Sequence, residues 1–165
     1  RINDLISQVE TAPASGVTTF RNVQSVESKG HGLEVNGQWS GGLRGRASYE
    51  LVHAEDLSGG MPISNSPRHQ AKLNLTVPLL REKIFAGLEL QYTARRVTPT
   101  GAVAGDFWLA NATLFSRQLV KGVELSASIY NLFNQRYADP ASSNFLQDAI
   151  QQDGRSFRVK LTYHF

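Results

Sequence analysis

The chain has 165 residues, of which 41% are hydrophobic and 19% charged, and its net charge at pH 7 is +3. No segment approaches the roughly 18–20 consecutive apolar residues of a membrane-spanning helix, and the absence of cysteine excludes disulfides and thiolate metal sites. Because the net charge is small and the basic residues are dispersed, the composition also argues against nucleic acid as a partner. A β-barrel remains compatible, since alternating strands have an average composition.

Alternation of apolar and polar residues predicts about seven β-strands along the chain. In chain order they are Gly32 to Trp39 with an upstream extension from Phe20 to Ser28, Leu43 to His53, Gln70 to Val77, Ile84 to Ala94, Trp108 to Ser116, Val123 to Tyr130, and Ser156 to Phe165. Before them, the apolar residues of segment 1–9 break the period of two, so this segment is interpreted as the tail of a longer strand. No helix is predicted.

The last strand has the clearest pattern, because it alternates without interruption up to the final residue. Its apolar members are Phe157, Val159, Leu161, Tyr163 and Phe165. Successive side chains of a strand point to opposite faces, so one face is apolar and the other strongly polar. Chain termini usually fray, whereas outer-membrane β-barrels commonly end on such a strand.

The predicted connections alternate between short and long. Short turns are predicted at Ser40–Gly42, Pro78–Glu82 and Arg117–Gly122. Longer polar loops are predicted at Glu10–Thr18, Glu55–Arg68, Arg96–Gly105 and Phe133–Gly154. Transmembrane barrels have short periplasmic turns and long extracellular loops, and every loop falls on its expected side when Phe165 is placed at the short-turn edge.

Two features favour lipid, rather than a buried core, as the environment of the apolar face. Aromatic residues lie near strand ends, as in the belts at membrane interfaces, and the candidate interface residues are Trp39, Tyr49, Tyr92 and Trp108. The same face contains many alanines, which would fill the core of a small barrel poorly. A soluble ligand-binding barrel, with its apolar residues inside, is the alternative.

Three stretches of the sequence resemble the C-terminal end of TonB-dependent outer-membrane receptors. The first is Asn-Leu-Phe-Asn-Gln-Arg-Tyr at 131–137, the second is the Gly154-Arg155 strand that ends on Phe165, and the third is Asn65-Ser-Pro at the start of a late strand. The resemblance implies an antiparallel barrel of 22 strands, of which this chain would contain about the last seven or eight. It also implies an N-terminal plug domain and earlier strands that this sequence does not contain.

The function implied by the resemblance is TonB-dependent uptake of a scarce nutrient, most often a ferric siderophore. The implied partners are outer-membrane lipid, the barrel-assembly machinery, and the TonB complex through the plug. Arg158, Tyr163 and Phe165 match the assembly signal of the family, although Lys160 stands where glycine is usual.

The longest loop is the candidate for solute contact, because loops on a rigid scaffold commonly bind ligands. Its polar candidates are Asp139, Asn144, Gln147, Asp148, Gln151 and Asp153. The four histidines lie on different segments without metal-ligand spacing. No metal, cofactor or catalytic residue is therefore predicted, and the chain is not expected to be an enzyme.

A complete eight-stranded outer-membrane barrel is a second alternative, because such a protein would have about this length. The irregular pattern of segment 1–9 argues against it.

Overall fold

The computed structural model describes residues 2–10, 16–57, 59–80 and 83–165, and these residues contain β-strands and no helix. The strands are β1 (Ile2–Glu10), β2 (Thr18–Gln38), β3 (Arg44–Asp56), β4 (Met61–Pro62), β5 (His69–Leu80), β6 (Ile84–Thr93), β7 (Arg96–Val97), β8 (Val103–Ala104), β9 (Phe107–Val120), β10 (Val123–Tyr130), β11 (Ala138–Pro140), β12 (Ala149–Gln151) and β13 (Ser156–Tyr163). Within the same residues, a search for helices long and apolar enough to cross a membrane found none.

Eight long strands form an antiparallel meander in the order β1-β2-β3-β5-β6-β9-β10-β13, and β4 pairs with the end of β3. Each long strand pairs with the next long strand along the chain. Two small hairpins, β7–β8 and β11–β12, lie outside this sheet. The predicted fold class, antiparallel strands of a transmembrane barrel, is confirmed.

The register keeps the apolar residues of all neighbouring strands on one face. One row across six strands contains only apolar residues and glycine: Gly45, Leu75, Leu88, Ala112, Ile129 and Phe157. Among the described residues no second layer covers this face, and Val159 and Leu161 are 74% and 68% exposed. A soluble barrel would bury these residues, because exposed apolar patches of this extent are rare on soluble proteins.

The opposite face is polar and contains cross-strand hydrogen bonds. Arg46 Nη2 lies 2.5 Å from Glu34 Oε2 on β2, and Thr113 and Ser128 share a hydrogen bond of 2.9 Å between β9 and β10. Such pairs each stabilise a sheet by about 0.2–1 kcal/mol, so this face suits an aqueous environment.

The first strand explains the broken pattern near the N-terminus. β1 pairs with β2, but its register shifts between Ile2 and Leu5 and again between Leu5 and Ile6. A bulge inserts an extra residue and so breaks a period of two. The segment is therefore a strand of the sheet, and the upstream extension of the second strand is confirmed because β2 is continuous over 21 residues.

Short turns lie on one edge of the sheet and long loops on the other. Gly41 and Gly42 have φ values of 83° and 82° in the turn between β2 and β3, a conformation that glycine adopts without strain. The N–H of His164 donates to the carbonyl of Gly122 at 2.8 Å. The end of β13 thus lies beside the turn between β9 and β10, which confirms that Phe165 belongs to the short-turn edge.

The long-loop edge contains loop I (57–68), loop II (94–106) and loop III (131–155). A fourth connection joins β1 to β2, and residues 11–15 of this predicted loop lie outside the described residues. Loop II contains the β7–β8 hairpin and loop III the β11–β12 hairpin.

Both edges of the sheet are open. β1 pairs with β2 only between Thr18 and Val26, so in the described parts of the chain no strand covers residues 30–38 on that side. At the other edge β13 pairs with β10 alone. Since β1 and β13 do not pair, the described strands do not form the closed eight-stranded barrel considered as an alternative.

Candidate functional site

Asn131 holds the turn that follows β10. Its φ is 50°, and the residue is 5% exposed. Its Nδ2 donates to the carbonyls of Gln135 and Asp153 at 2.9 and 3.3 Å, and its Oδ1 accepts the N–H of Gln135 at 2.8 Å. The side chain of Asn111 on β9 accepts the backbone N–H of Asn131 at 2.9 Å. Asn131 therefore joins β9, β10 and both ends of loop III.

Asn134 joins the same turn to the start of the last strand. Its Oδ1 accepts the N–H of Arg155 at 2.9 Å, and its φ is 54°. A Cβ at Gly154 would lie 2.6 Å from this oxygen, closer than any side chain permits. The Asn-Leu-Phe-Asn motif and the Gly-Arg pair, which are separate in the sequence, thus form one unit that fixes the base of loop III.

Arg96 ties loops I, II and III together above the polar face. The residue is 6% exposed. Its Nη1 donates to Asp139 Oδ1 at 2.7 Å and to Asn65 Oδ1 at 3.2 Å, and its Nη2 donates to the carbonyl of Ala138 at 3.1 Å. A charge-assisted pair of this kind is stronger than a neutral hydrogen bond, so Arg96 is the main link between the loops.

A second tie joins the tips of loops II and III. The hydroxyls of Thr98 and Thr100 donate to Asp148 Oδ2 at 2.9 and 2.6 Å. The hydrogen bond from Thr100 is the main reason that the pKa of Asp148 lies below its ordinary value, and the one from Thr98 acts in the same direction against the effect of burial. Asp148 is therefore charged at neutral pH and holds both hairpins.

Two aromatic rings pack beside Arg96. The ring centroids of Phe107 and Tyr137 are 4.4 Å apart, and the Arg96 guanidinium carbon lies 5.3 Å from the Phe107 centroid. Burial raises the pKa of the Tyr137 hydroxyl, and the charges of Asp139 and Asp153 raise it further, whereas Arg96 lowers it. Tyr137 therefore stays neutral and offers an aromatic face and a hydrogen-bonding hydroxyl.

These residues border a cleft of 340 Å³, here called the polar-face cleft. It lies where the polar face meets the long-loop edge and combines amide, hydroxyl, charged and aromatic groups. The lining residues are Asn65, Pro67, Gln70, Gln91, Thr93, Arg96, Phe107, Leu109, Tyr137 and Asp139. A few convergent polar groups beside aromatic walls are typical of small-molecule sites.

The predicted loop residues have two different environments. Asp139 and Asp148 are engaged in the loop ties described above, and Asp153 contributes a backbone carbonyl to Asn131. Asn144, Gln147 and Gln151 are exposed. Of the six, only Asp139 lines the polar-face cleft. Contact of these residues with a solute stays a prediction.

The other predicted residues lie on the sheet as expected from the alternation. Trp39, Tyr49 and Trp108 are exposed on the apolar face, and Tyr92 packs on Trp108 with 4.7 Å between centroids. The predicted assembly residues lie on β13 and just beyond it, where Tyr163 packs edge-on against Phe165 at 5.0 Å. Arg158 is exposed on the opposite, polar face.

Sequence reasoning missed most of the residues that build the cleft. Arg96 and Phe107 have no local signal, because most of their partners are distant in the sequence, in loops I and III. Asn65 has a signal only as part of the Asn-Ser-Pro stretch.

The family model described as TonB dependent receptor-like, beta-barrel matches residues 1–132. The chain therefore belongs to the TonB-dependent receptor family. This membership confirms a receptor rather than an enzyme, located in the bacterial outer membrane, and excludes the soluble-barrel alternative.

Solved receptors share the fold. The copper transporter OprC is 21% identical with a TM-score of 0.76, and the alignment covers 99% of this chain and 27% of OprC. The siderophore receptor PiuA from Acinetobacter baumannii is 22% identical with a TM-score of 0.75, covering 94% and 24%. The ferric-catecholate import receptor Fiu from E. coli K12 is 17% identical with a TM-score of 0.72, covering 99% and 24%. The chain thus spans about a quarter of these proteins. A comparison with curated proteins found no match.

Proposed function

We propose that the chain is the C-terminal barrel segment of a larger receptor that takes up a scarce nutrient with energy from the TonB complex. The two open sheet edges support this proposal, because unpaired strand edges are not tolerated in lipid. The solved relatives, of which the chain covers 23% to 27%, support it as well. A plug domain and earlier strands would complete the receptor, and the plug would contact the TonB complex.

A ferric siderophore is the solute class that the polar-face cleft fits best. A catecholate chelate has planar rings that would pack on Tyr137, whose ring Phe107 supports from behind, and oxygens that would accept hydrogen bonds from the amides of Gln70 and Gln91. Two of the solved relatives named above are called siderophore or ferric-catecholate receptors, and one is called a copper transporter. The observation that carries the proposal is the aromatic and amide lining of one cleft at the long-loop edge.

Uptake by intact cells tests this function. Cells with and without the native protein that carries this chain are grown under iron limitation, and accumulation of radiolabelled iron is measured with a panel of ferric siderophores. We expect accumulation of at least one chelate to require the protein and to stop when a protonophore removes the inner-membrane energy. Protein-dependent accumulation of copper and of no ferric chelate would contradict the siderophore assignment.

Single variants connect uptake to the cleft. Tyr137→Ala removes an aromatic wall, and we expect it to weaken uptake at limiting chelate by about tenfold, the effect of roughly 1.4 kcal/mol. Phe145→Ala is the matched control, because Phe145 is an exposed aromatic of the same loop that does not line the cleft. Equal effects of the two variants on uptake would show that uptake does not depend on the polar-face cleft.

Two further surfaces are assigned by the same proposal. Arg158, Tyr163 and Phe165 are proposed as the signal that the barrel-assembly machinery reads, a role supported by the place of Tyr163 and Phe165 at the end of the last strand. Trp39, Tyr49, Tyr92 and Trp108 are anchors at the lipid interface, a role supported by their place on the apolar face.

A further inference from the structure

A second cavity, of 590 Å³, lies between loops I and II and is here called the rim pocket. Its walls include His53, His69 and Tyr92, which alternation and register place on the apolar face of the sheet. His69 is held there by a hydrogen bond of 2.7 Å with the hydroxyl of Tyr49. Val52 and Ala54, on the other side of β3, also line the pocket where β3 extends beyond β5. The rim pocket therefore borders the apolar face and reaches past the edge of the sheet, whereas the polar-face cleft lies on the polar face.

The β7–β8 hairpin separates the two cavities. Arg96 and Ala104 pair with each other and are both buried on the side of loop III. Val97 and Val103 form the next pair, and both line the rim pocket. Val103 is 61% exposed. One side of this hairpin thus contributes Arg96 to the hydrogen bonds between the loops, and the other side forms a wall of the rim pocket.

The rim pocket is rich in guanidinium groups. Arg68, Arg95 and Arg96 line it together with Asp106. In the described part of the chain, the side chains of Arg68 and Arg95 make no ion pair or hydrogen bond. Arg96 uses both terminal nitrogens in the loop ties, whereas its buried Nε has no hydrogen-bond partner among the described residues. Arginine presents paired N–H donors whose geometry matches phosphate oxygens.

The arginines of the rim pocket suit a phosphate group, and the position of the pocket along the strands indicates which kind of molecule carries that phosphate. The pocket lies at the long-loop end of the strands, where Tyr92 lines it and where Tyr49 and Trp108 share the row of Tyr92; these three are aromatic residues that we assign to the lipid interface. Lipid headgroups occupy this level, and basic pockets beside membrane-spanning segments bind their phosphates. We propose that the rim pocket binds the phosphate of an outer-leaflet lipid, with Arg68 and Arg95 as the principal ligands. The proposal depends on the membrane placement and not on the solute.

Lipid retention tests the proposal on the native outer-membrane protein that carries this chain. The protein is reconstituted in phosphatidylcholine vesicles containing a small fraction of phosphatidic acid, a phosphate-monoester probe, and the lipid that stays bound after extraction is counted by native mass spectrometry. We expect the wild type to retain phosphatidic acid, and Arg68→Ala/Arg95→Ala to lose retention by about tenfold or more, since each arginine contributes charge-assisted hydrogen bonds.

Controls make each outcome decisive. Arg136→Ala removes an exposed arginine of loop III that does not line the pocket, and retention should be unchanged. If the double alanine variant loses heat-modifiable migration, Arg68→Gln/Arg95→Gln replaces it. Equal retention of phosphatidic acid by the double variant at Arg68 and Arg95 and by the wild type would overturn the proposal. So would an equal loss in Arg136→Ala. Displacement of the lipid by inorganic phosphate would also overturn it, because the pocket would then be a site for the free ion.

Discussion

At the scale of single residues, the base of loop III depends on one contact between Asn134 and the Gly154-Arg155 pair. Asn134→Ala removes the acceptor for the Arg155 N–H. We expect the loss to lower the free energy of unfolding by about 1 kcal/mol, the usual contribution of such a bond, measured by thermal loss of heat-modifiable migration of the native protein. Asn144→Ala, an exposed position in the same loop, should have no effect.

The same contact predicts a coupling between two positions. Gly154→Ala places a Cβ 2.6 Å from Asn134 Oδ1, so it should destabilise the wild type. In the Asn134→Ala background this oxygen is absent, so the cost of Gly154→Ala should be smaller. If the two changes in the free energy of unfolding add in the double-mutant cycle, residues 134 and 154 are not in contact.

Asp148 gives the tie between loops II and III a dependence on pH. The pKa of Asp148 in the folded chain lies below the ordinary 3.8, so its stabilising effect is complete above pH 3.8 and is lost as the pH falls through the lower folded value. Spin labels at Ala102 and Leu146 should give a narrow distance distribution at pH 7 and pH 5 that broadens only below about pH 3.8. The same labels on Asp148→Asn should show no change with pH. Broadening at pH 5 in the wild type would contradict this assignment.

The residues of the loop ties mark the limit of sequence reasoning at this scale. Asn131 and Asn134 could be singled out because they belong to a motif, although their hydrogen bonds could not. Arg96 could not be found, because it is buried by Asp139 and Ala138, more than forty positions away in the chain.

At the scale of strands, two facing glycines make room for a tryptophan on the apolar face. Gly37 and Gly45 are paired between β2 and β3, and Cβ atoms there would lie 2.5 and 3.1 Å from the Trp39 ring. The ring therefore covers bare backbone, a known way to stabilise glycines in sheets.

Substitution of Gly37 tests this arrangement. Gly37→Ala should push the Trp39 ring away from the sheet and change its fluorescence emission, measured on the native protein as the difference between spectra with Trp39 and with Trp39→Phe. Gly32→Ala, on the same strand, has its nearest new contact at 3.9 Å and should leave the emission unchanged. An unchanged spectrum for Gly37→Ala would show that the ring does not lie over Gly37.

Strands with regular alternation were predictable, and the irregular ones were not. β5, β6, β10 and β13 follow their predicted segments because every second residue is apolar and the register keeps these residues together. β1 is predictable only as the tail of a longer strand, because its two register shifts interrupt the period. The hairpins β7–β8 and β11–β12 are two or three residues long, too short for periodicity to reveal.

At the scale of the whole molecule, the open edges predict that these 165 residues alone do not form a native barrel. Residues 30–38 of β2 and the free side of β13 have no partner strand within the described chain, and such edges aggregate in water and are not tolerated in lipid. After refolding with vesicles, the isolated chain should show no heat-modifiable, protease-resistant monomer. A compact monomer with both properties would contradict the proposal that further strands are required.

We infer that the sheet spans the outer membrane with its apolar face toward lipid. This chain contributes no cysteine of its own, so in the native protein, with any cysteine outside the chain replaced by serine, single cysteines at Arg158, Val159, Lys160 and Leu161 can each carry a spin label in vesicles. Collision rates with oxygen, which concentrates in lipid, and with a water-soluble nickel chelate measure the environment of each label. We expect oxygen accessibility at Val159 and Leu161 and nickel accessibility at Arg158 and Lys160. Equal accessibility along the strand, or the reverse alternation, would contradict it.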